Sequence, residues 1–404
     1  MTSTVHIAKN VYGGDGIGRL GDGRVVFVPG AWAGESVRAE IVEERRHFVR
    51  ARLVEVAEPS PARRDGGAFA GVPGCVYANL SYAAECDAKE GQLAEFLERA
   101  RLGARPVRGA VARTGADGEV AGYRNKVTYH FGRRRGAWAI GYRAEPSHEV
   151  VDMAADPLAV RPIGDRLPEI RRAVLSLLTT GPEAVRRGIA AKGGVTVRWS
   201  ARTGVRWWTG DAPRDLAFQE TTCGRVFEVP AGGFYQVNPA IGEELVRYVA
   251  AEYAKEGGDV LDLYCGVGVF GLCCSPARLV GVESGREAVE FARRNAAAQG
   301  VAAKFVAGQA GRTLRQVRTG PATTVIVDPP RGGMEPNVTA FLAKSGAPRI
   351  VYVSCDPATL ARDLRTLAQG YAVESVRWFD MFPRTARFET VAVLRRKTAA
   401  GRAG

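Results

Sequence analysis

The sequence places a cysteine where a nucleophile is useful. Ile350-Val351-Tyr352-Val353 is an apolar run of strand type. It halts at Ser354-Cys355; Asp356 then has the character of a helix N-cap and Pro357 that of a first helical residue. Leu360, Leu364 and Leu367 recur at helical spacing, and Gly370 suits a C-cap. Cys355 is therefore expected between a strand end and a helix N-terminus. In an open α/β sheet that edge gathers ligands, and a helix N-terminus favours a thiolate. An inert buried cysteine fits the same local pattern.

Two more stretches carry chemistry. Asp259-Val260-Leu261-Asp262-Leu263-Tyr264 runs into Gly266, Gly268 and Gly271, spaced G-x-G-x-x-G. Such a loop brings backbone close to a ligand in both nicotinamide and S-adenosylmethionine enzymes. Glu283 ends the next strand, Leu279 to Val282, where an acid can accept hydrogen bonds from ribose hydroxyls of either cofactor. Val325-Ile326-Val327 then delivers Asp328 to its carboxyl end, and Pro329-Pro330 stiffens the turn. A dinucleotide oxidoreductase has no standard need for that feature.

These residues need a scaffold, and the pattern supplies one. From about Gly233 strands alternate with helices, at 259–264, 279–282, 304–306, 323–327, 350–353, 371–377 and 389–394. This predicts an α/β doubly wound (Rossmann-like) domain over 233–404. Residues 1–58 read instead as short strands with turns at Gly13-Gly14-Asp15-Gly16 and Pro29-Gly30, an OB-like β-barrel with basic edges. Pro59-Ser60-Pro61 is a linker. Residues 59–232 read as a central α+β domain. It holds a helix at 89–101 with Leu93, Phe96 and Leu97 as its stripe, expected to pack on the catalytic domain. A hairpin follows, Gly122 to Phe131 and Trp138 to Arg143, joined by Arg133-Arg134-Arg135-Gly136. Arginines among Tyr and Trp suit RNA phosphates and bases, and equally suit a charged edge that resists aggregation.

Composition narrows the class. The 404 residues carry a formal charge of +13 with 46% hydrophobic residues, so several real cores and a polyanionic partner are expected. No apolar run approaches the ~20 residues of a membrane span. Seven cysteines show no disulfide framework, and four scattered histidines show no metal-ligand spacing. A monomeric protein of the reducing cytoplasm, with no membrane partner and no metal, is expected.

The run Gly13 to Gly18 with Phe27-Val28-Pro29-Gly30 and Gly34-Glu35 resembles the TRAM domain, an RNA-binding barrel. Together with Phe234-Tyr235-Gln236-Val237-Asn238, the glycine loop, Asp328-Pro329, Ser354 to Leu360 and Phe382 to Glu389, nearly the whole chain resembles the RNA uridine-carbon-5 methyltransferases. That resemblance implies transfer of methyl from S-adenosylmethionine to carbon 5 of a uridine, in 23S ribosomal RNA by preference or in tRNA. It implies Cys355 as nucleophile at carbon 6, Glu389 as the base that removes the carbon-5 proton, and Gln236, Tyr264, Glu283 and Asp328 around the cofactor. The helix end and nearby arginines are expected to help the thiol ionise.

Departures from the family pattern matter as well. Val269 stands where many relatives have Asn, Gln309 where Asp or Asn is common, and Arg384 and Arg387 where histidines are usual. Both arginines are expected to add charge near RNA phosphate. Of the iron–sulfur signature of some relatives, Cys75 remains, while Val72 and Asp156 occupy two ligand positions. An iron–sulfur cluster is not expected, since ligation usually takes four cysteines. Two other readings are a non-catalytic RNA-binding protein with a vestigial methyltransferase domain, and methylation of another nucleobase. The second of these needs no nucleophilic cysteine.

Overall fold

A sheet that buries both faces needs strands that are apolar throughout, and the C-terminal half of the chain supplies them. In the computed structural model, which describes residues 2–112, 120–134, 136–145 and 147–397, these strands form one of four sheet systems.

The first system is a closed barrel of β1 (Thr2–Asn10), β2 (Gly16–Arg19), β3 (Val25–Val28), β4 (Ser36–Glu44) and β5 (Phe48–Glu58), in the order β1-β2-β3-β5-β4. Alternate residues Val5 and Ile7, Val26 and Val28, and Val37 and Ala39 fill its interior. The turn expected at Gly13-Gly14-Asp15-Gly16 ends earlier, because Gly16 already opens β2, a strand paired to both β1 and β3.

After the barrel comes α1 (Tyr82–Arg99), capped by Ser81, whose Oγ accepts from the Ala84 N–H. The helix therefore starts seven residues before the expected 89. Its first turns hide from a periodicity search because the residues they bury include Glu85 and Lys89. Next is β6 (Pro106–Arg108), then β7 (Lys126–Arg134), β8 (Ala137–Arg143) and β9 (Val150–Asp152). The β7–β8 pair is the expected hairpin, starting at Lys126 because Arg124 bridges Ala159 instead; Arg135 of its turn lies outside the described residues. Helices α2 (Arg161–Thr179) and α3 (Glu183–Lys192) lead to β10 (Gly194–Ser200) and β11 (Gly204–Thr209). The central sheet has the order β11-β10-β7-β8-β9, with α2 packed on one face through Ile163, Leu167, Ile170 and Val174.

A separate hairpin, β12 (Ala217–Thr222) and β13 (Arg225–Pro230), precedes α4 (Pro239–Ala254). The α/β unit then runs β14 (Asp259–Leu263), α5 (Val269–Cys274), β15 (Leu279–Glu283), α6 (Arg286–Ala298), β16 (Ala303–Ala307), α7 (Ala310–Thr313), β17 (Thr323–Val327), α8 (Pro336–Ala343), β18 (Arg349–Ser354), α9 (Pro357–Leu367), β19 (Tyr371–Phe379) and β20 (Glu389–Arg396). Its sheet has eight strands in the order β16-β15-β14-β17-β18-β20-β19-β6. Strands β16 to β18 are mutually parallel, and β20 runs antiparallel to both neighbours. Along β17 and β18 the side chains divide between two cores. Val325, Val327, Ile350 and Tyr352 face α1, α8 and α9, whereas Ile326, Val351 and Val353 face α4 and α6.

Besides α1, whose Leu93 and Leu97 lie in its core, two pieces from before residue 233 belong physically to this unit. Strand β6 pairs in parallel with β19, and Phe227 and Val229 of β13 sit in the same core as α4. Helix α9 stops at Leu367 with Ala368 as C-cap, not at Gly370. Gly370 is needed for another reason: a Cβ there would lie 2.0 Å from the Ala343 carbonyl oxygen. No helix among the described residues is long and apolar enough to cross a membrane.

Candidate active site

The strand order reverses between β14 and β17, and a crevice opens there at the carboxyl ends. Tyr264 follows β14, Asp328 follows β17 and Cys355 follows β18. Because β20 is antiparallel, its first residue arrives at that same edge. The register pairs Ser354 with Thr390, so the next residue outward on each strand is Cys355 on one and Glu389 on the other. Residues 34 apart in the chain thus become neighbours by sheet topology alone.

Local chemistry holds each one. Asp356 caps α9, accepting from the Ala358 and Thr359 N–H groups at 3.0 and 3.1 Å, which fixes the backbone directly after Cys355. Asp262 Oδ2 accepts from the Gly271 N–H at 2.9 Å and ties the glycine loop to β14. A Cβ on Gly271 would approach the Leu279 side chain to 2.6 Å and the Asp262 carboxylate to 3.0 Å, so any larger residue there would have to displace both side chains. Glu283 takes the Gly266 N–H at 3.2 Å on one oxygen and the Gly285 N–H at 2.7 Å on the other. Carboxylate oxygens have further lone pairs, free for ribose hydroxyls.

A cleft of ≈ 550 Å³ lies in front of this loop, with Gln236, Tyr264, Gly266, Val269, Phe270 and Asp328 in its walls. Three of the four expected cofactor residues therefore share one cleft, and Glu283 stands behind it, bonded to the Gly266 backbone. Tyr264 contributes its ring, since its hydroxyl donates to the Glu335 carboxylate. Its backbone is left-handed, with φ 64°. Gln309 is the residue before α7, and Val269 gives the cleft an apolar wall where an amide would be polar.

The electrostatics run against one expectation. Burial pushes the Cys355 thiol up to about 12, and Glu389, Asp328 and Asp356 add to the rise, with Arg331 opposing. Glu389 is pushed well above the ordinary carboxylate range by burial and by Asp328. Asp328 rises to about 7 through burial and Glu283, and fully buried Asp262 to about 8. Asp328 thus links both halves: it lines the cleft and feels Glu283 on one side and acts on Cys355 and Glu389 on the other.

Arg384 corrects a second expectation. It is fully buried, not at an RNA-facing surface. Its backbone N–H donates to Glu85 at 2.7 Å and its guanidinium donates to the Leu80 carbonyl at 2.8 Å. Beside it Lys89 Nζ lies 2.7 Å from both Glu85 and Asp380, and the Tyr82 hydroxyl donates to Asp380 at 2.7 Å. This buried ionic cluster clamps the loop leading to Glu389. Arg387 differs, with 39% of its side chain exposed and its guanidinium donating to the Tyr12 hydroxyl. Val72 and Cys75 pack among Phe69, Tyr123 and Met153, while Asp156 accepts from the Tyr129 and Tyr142 hydroxyls. Among the described residues no His, Cys, Asp or Glu group is arranged to hold a metal.

Sequence reasoning missed Asp262, Lys89 and Tyr12. An acid inside Val260-Leu261-Asp262-Leu263 was a visible signal, because a fully buried carboxylate must have a task. Lys89 and Tyr12 gave no local signal: Lys89 with Glu85 reads as a solvated helix pair, and Asp380 and Arg387, which complete the two contacts, lie far along the chain.

Residues 222–397 match the tRNA (uracil-5-)-methyltransferase family and residues 2–54 the TRAM domain. An RNA methyltransferase of Gloeobacter violaceus, itself uncharacterised, is 33% identical over 98% of this chain and 97% of its own. The 23S rRNA (uracil(1939)-C(5))-methyltransferase of Pseudomonas entomophila is 33% identical, covering 94% of this chain and 91% of its own. The crystal structure of the tRNA (uracil-54, C5)-methyltransferase of Pyrococcus abyssi with S-adenosyl-L-homocysteine has the same fold. It superposes with TM-score 0.74 at 24% identity, over 97% of this chain and 99% of that one.

Proposed function

The chain belongs to the RNA (uracil-5-)-methyltransferase family, and we propose that it methylates carbon 5 of a uridine in RNA with Cys355 as nucleophile and Glu389 as base. The observation that carries this reading is the Ser354–Thr390 register, which brings a thiol and a buried carboxyl together beside Asp328. Methylation of an exocyclic amine needs neither group.

Carbon 5 of uracil is a weak nucleophile. Cys355 Sγ adds to carbon 6, and the displaced electron pair moves through carbon 5 to the carbonyl, leaving an enolate. S-adenosylmethionine, when bound, supplies the methyl that carbon 5 takes. Glu389 removes the proton from carbon 5; the pair re-forms the 5,6 double bond and expels the Cys355 thiolate. Burial suits Glu389 to this step, because a carboxylate with a raised pKa is the stronger base. The thiol must lose its proton for addition, so rising pH favours the first step.

The glycine loop and Glu283 fit the donor's ribose, and Gln236, Tyr264 and Asp328 would wall its amino-acid side. The target uridine leaves its stack to reach Cys355. The barrel and the β7–β8 hairpin, where Arg133 lies 4.8 Å over the Trp138 ring, would hold the flanking RNA. The 33% identity to a 23S rRNA enzyme supports ribosomal RNA as substrate.

Mass mapping of 5-methyluridine in total RNA tests the proposal. Deleting the gene should remove one or more sites, the wild-type gene should restore them, and Cys355→Ala should not. Restoration by Cys355→Ala would sink the covalent route.

A further inference from the structure

The catalytic edge is crowded with acids, yet it must admit a nucleotide that carries its own negative phosphate. Asp328, Asp356 and Glu389 all act on Cys355. Arg331 is one cation acting at this edge, and a second stands at its rim. Arg387 is placed there: its guanidinium is 3.6 Å from Asp356, the residue beside Cys355, and 39% of the side chain remains exposed. The Asp356 contact is loose, and that carboxylate already caps α9. The firm contact comes from the N-terminal barrel. Arg387 donates to the Tyr12 hydroxyl at 3.0 Å, and its guanidinium carbon lies 5.7 Å from the Tyr12 ring.

Tyr12 is itself well anchored, in the turn between β1 and β2. Its ring meets Phe96 of α1 edge-on at 5.7 Å and Phe388 at 6.0 Å. Gln92 donates to the adjacent Val11 carbonyl at 3.1 Å, and Lys9 pairs with Glu95 at 2.8 Å. The barrel turn is thus fixed to α1 and to the residue just before Glu389. A planar guanidinium gripped along one edge keeps its other edge for a second, bidentate partner, for which phosphate is the matching shape.

We propose that Arg387 binds the backbone phosphate of the nucleotide entering the Cys355 pocket, and that Tyr12 is the positioning residue that aims it. The barrel then completes the catalytic site rather than only tethering RNA. This deepens the function proposed above and rests on it for the identity of the nucleotide. Lysine in place of Arg387 keeps the charge but loses the fork; phenylalanine in place of Tyr12 keeps the ring packing but loses the hydroxyl.

The test measures binding of a labelled oligouridylate of ~12 nucleotides between ~50 and ~200 mM salt, where each phosphate contact to a single strand contributes ~0.7 to the logarithmic slope. Arg387→Gln should weaken binding several-fold and lower the slope by about that amount. Arg387→Lys should restore the slope but not the affinity. Tyr12→Phe should weaken binding about threefold at unchanged slope and raise KM for RNA from the deletion strain more than it lowers kcat. A slope equal to wild type in Arg387→Gln overturns the phosphate contact, even if the variant melts at a lower temperature. Binding needs no turnover. A wild-type protein that binds but makes no 5-methyluridine refutes the methyl transfer and leaves the slope to judge Arg387.

Discussion

At the loop from Asp380 to Arg384 each buried charge faces an opposite one; at Asp328, Cys355 and Glu389 the neighbours share a sign. In the first patch Lys89 is held protonated by Asp380 and Glu85, and Arg384 bonds to the same Glu85. In the second, burial and Asp328 raise the proton affinities of both Cys355 and Glu389, Glu389 adds to that of Cys355, and Arg331 pulls the other way on both. Both patches are desolvated, so burial alone does not distinguish them. Pairing does. A satisfied cluster fixes a backbone, whereas a cluster of like-charged acids stores protons near neutral pH and has groups ready to give or take them.

The contrast can be broken most severely at Glu389. Glu389→Gln should cut turnover by ~10²–10⁴-fold, the usual worth of a positioned base. Because the thiol remains, a protein–RNA adduct should build up as a slow band on a denaturing gel. Folding stability at neutral pH should not fall, since an amide replaces a carboxyl that burial already disfavours as an ion. Full turnover with no adduct would remove the assigned role. Lys89→Met is the converse case. It strands Glu85 and Asp380 without their shared cation, and urea unfolding should show a loss of ~3–5 kcal/mol. A variant within 1 kcal/mol (about a fivefold change in equilibrium) of wild type would mean that the clamp carries little.

The mildest test sharpens the comparison through pH. Asp262 has a folded-state pKa of about 8, above the ordinary carboxyl value. Over the interval between the two values the folded protein holds the extra proton, so stability falls as pH rises from ~4 to ~8. Asp262→Asn keeps an acceptor for the Gly271 N–H and should flatten that part of the stability curve. An unchanged slope would show that Asp262 does not titrate there. Lys89 has the opposite sign: its raised pKa gives stability that is present below its ordinary value and lost only in strong alkali.

What could be read from the chain follows from how far each residue's cause lies from it. Cys355, Asp328 and the glycine loop sit at the ends of contiguous apolar strands, so local pattern was enough to place them. Glu389 needed more, because nothing in Phe388-Glu389-Thr390 says that β20 inserts antiparallel beside β18. Its position was legible only through the family resemblance. The start of α1 was missed because its buried charges mimic a solvated face. The thiol's environment was misjudged because its burial depends on the assembled fold, and because three carboxylates converge on it of which only Asp356 is adjacent in sequence. Arg384 read as a surface charge because Glu85, its buried partner, lies on another element.

The position of β6 has a consequence for how the protein is made. Strand β20 emerges from the ribosome after every other strand, yet it must slot between β18 and β19, and the far side of β19 must meet a segment synthesised long before. Until then β19 can pair only with β6, and α1 has no finished surface to lie on. Strand β6 and α1 therefore complete their contacts only when the C-terminal hairpin has been made. Expression of residues 222–397 by themselves would leave a naked sheet edge and an uncovered apolar face, the two features that drive a nascent chain to aggregate.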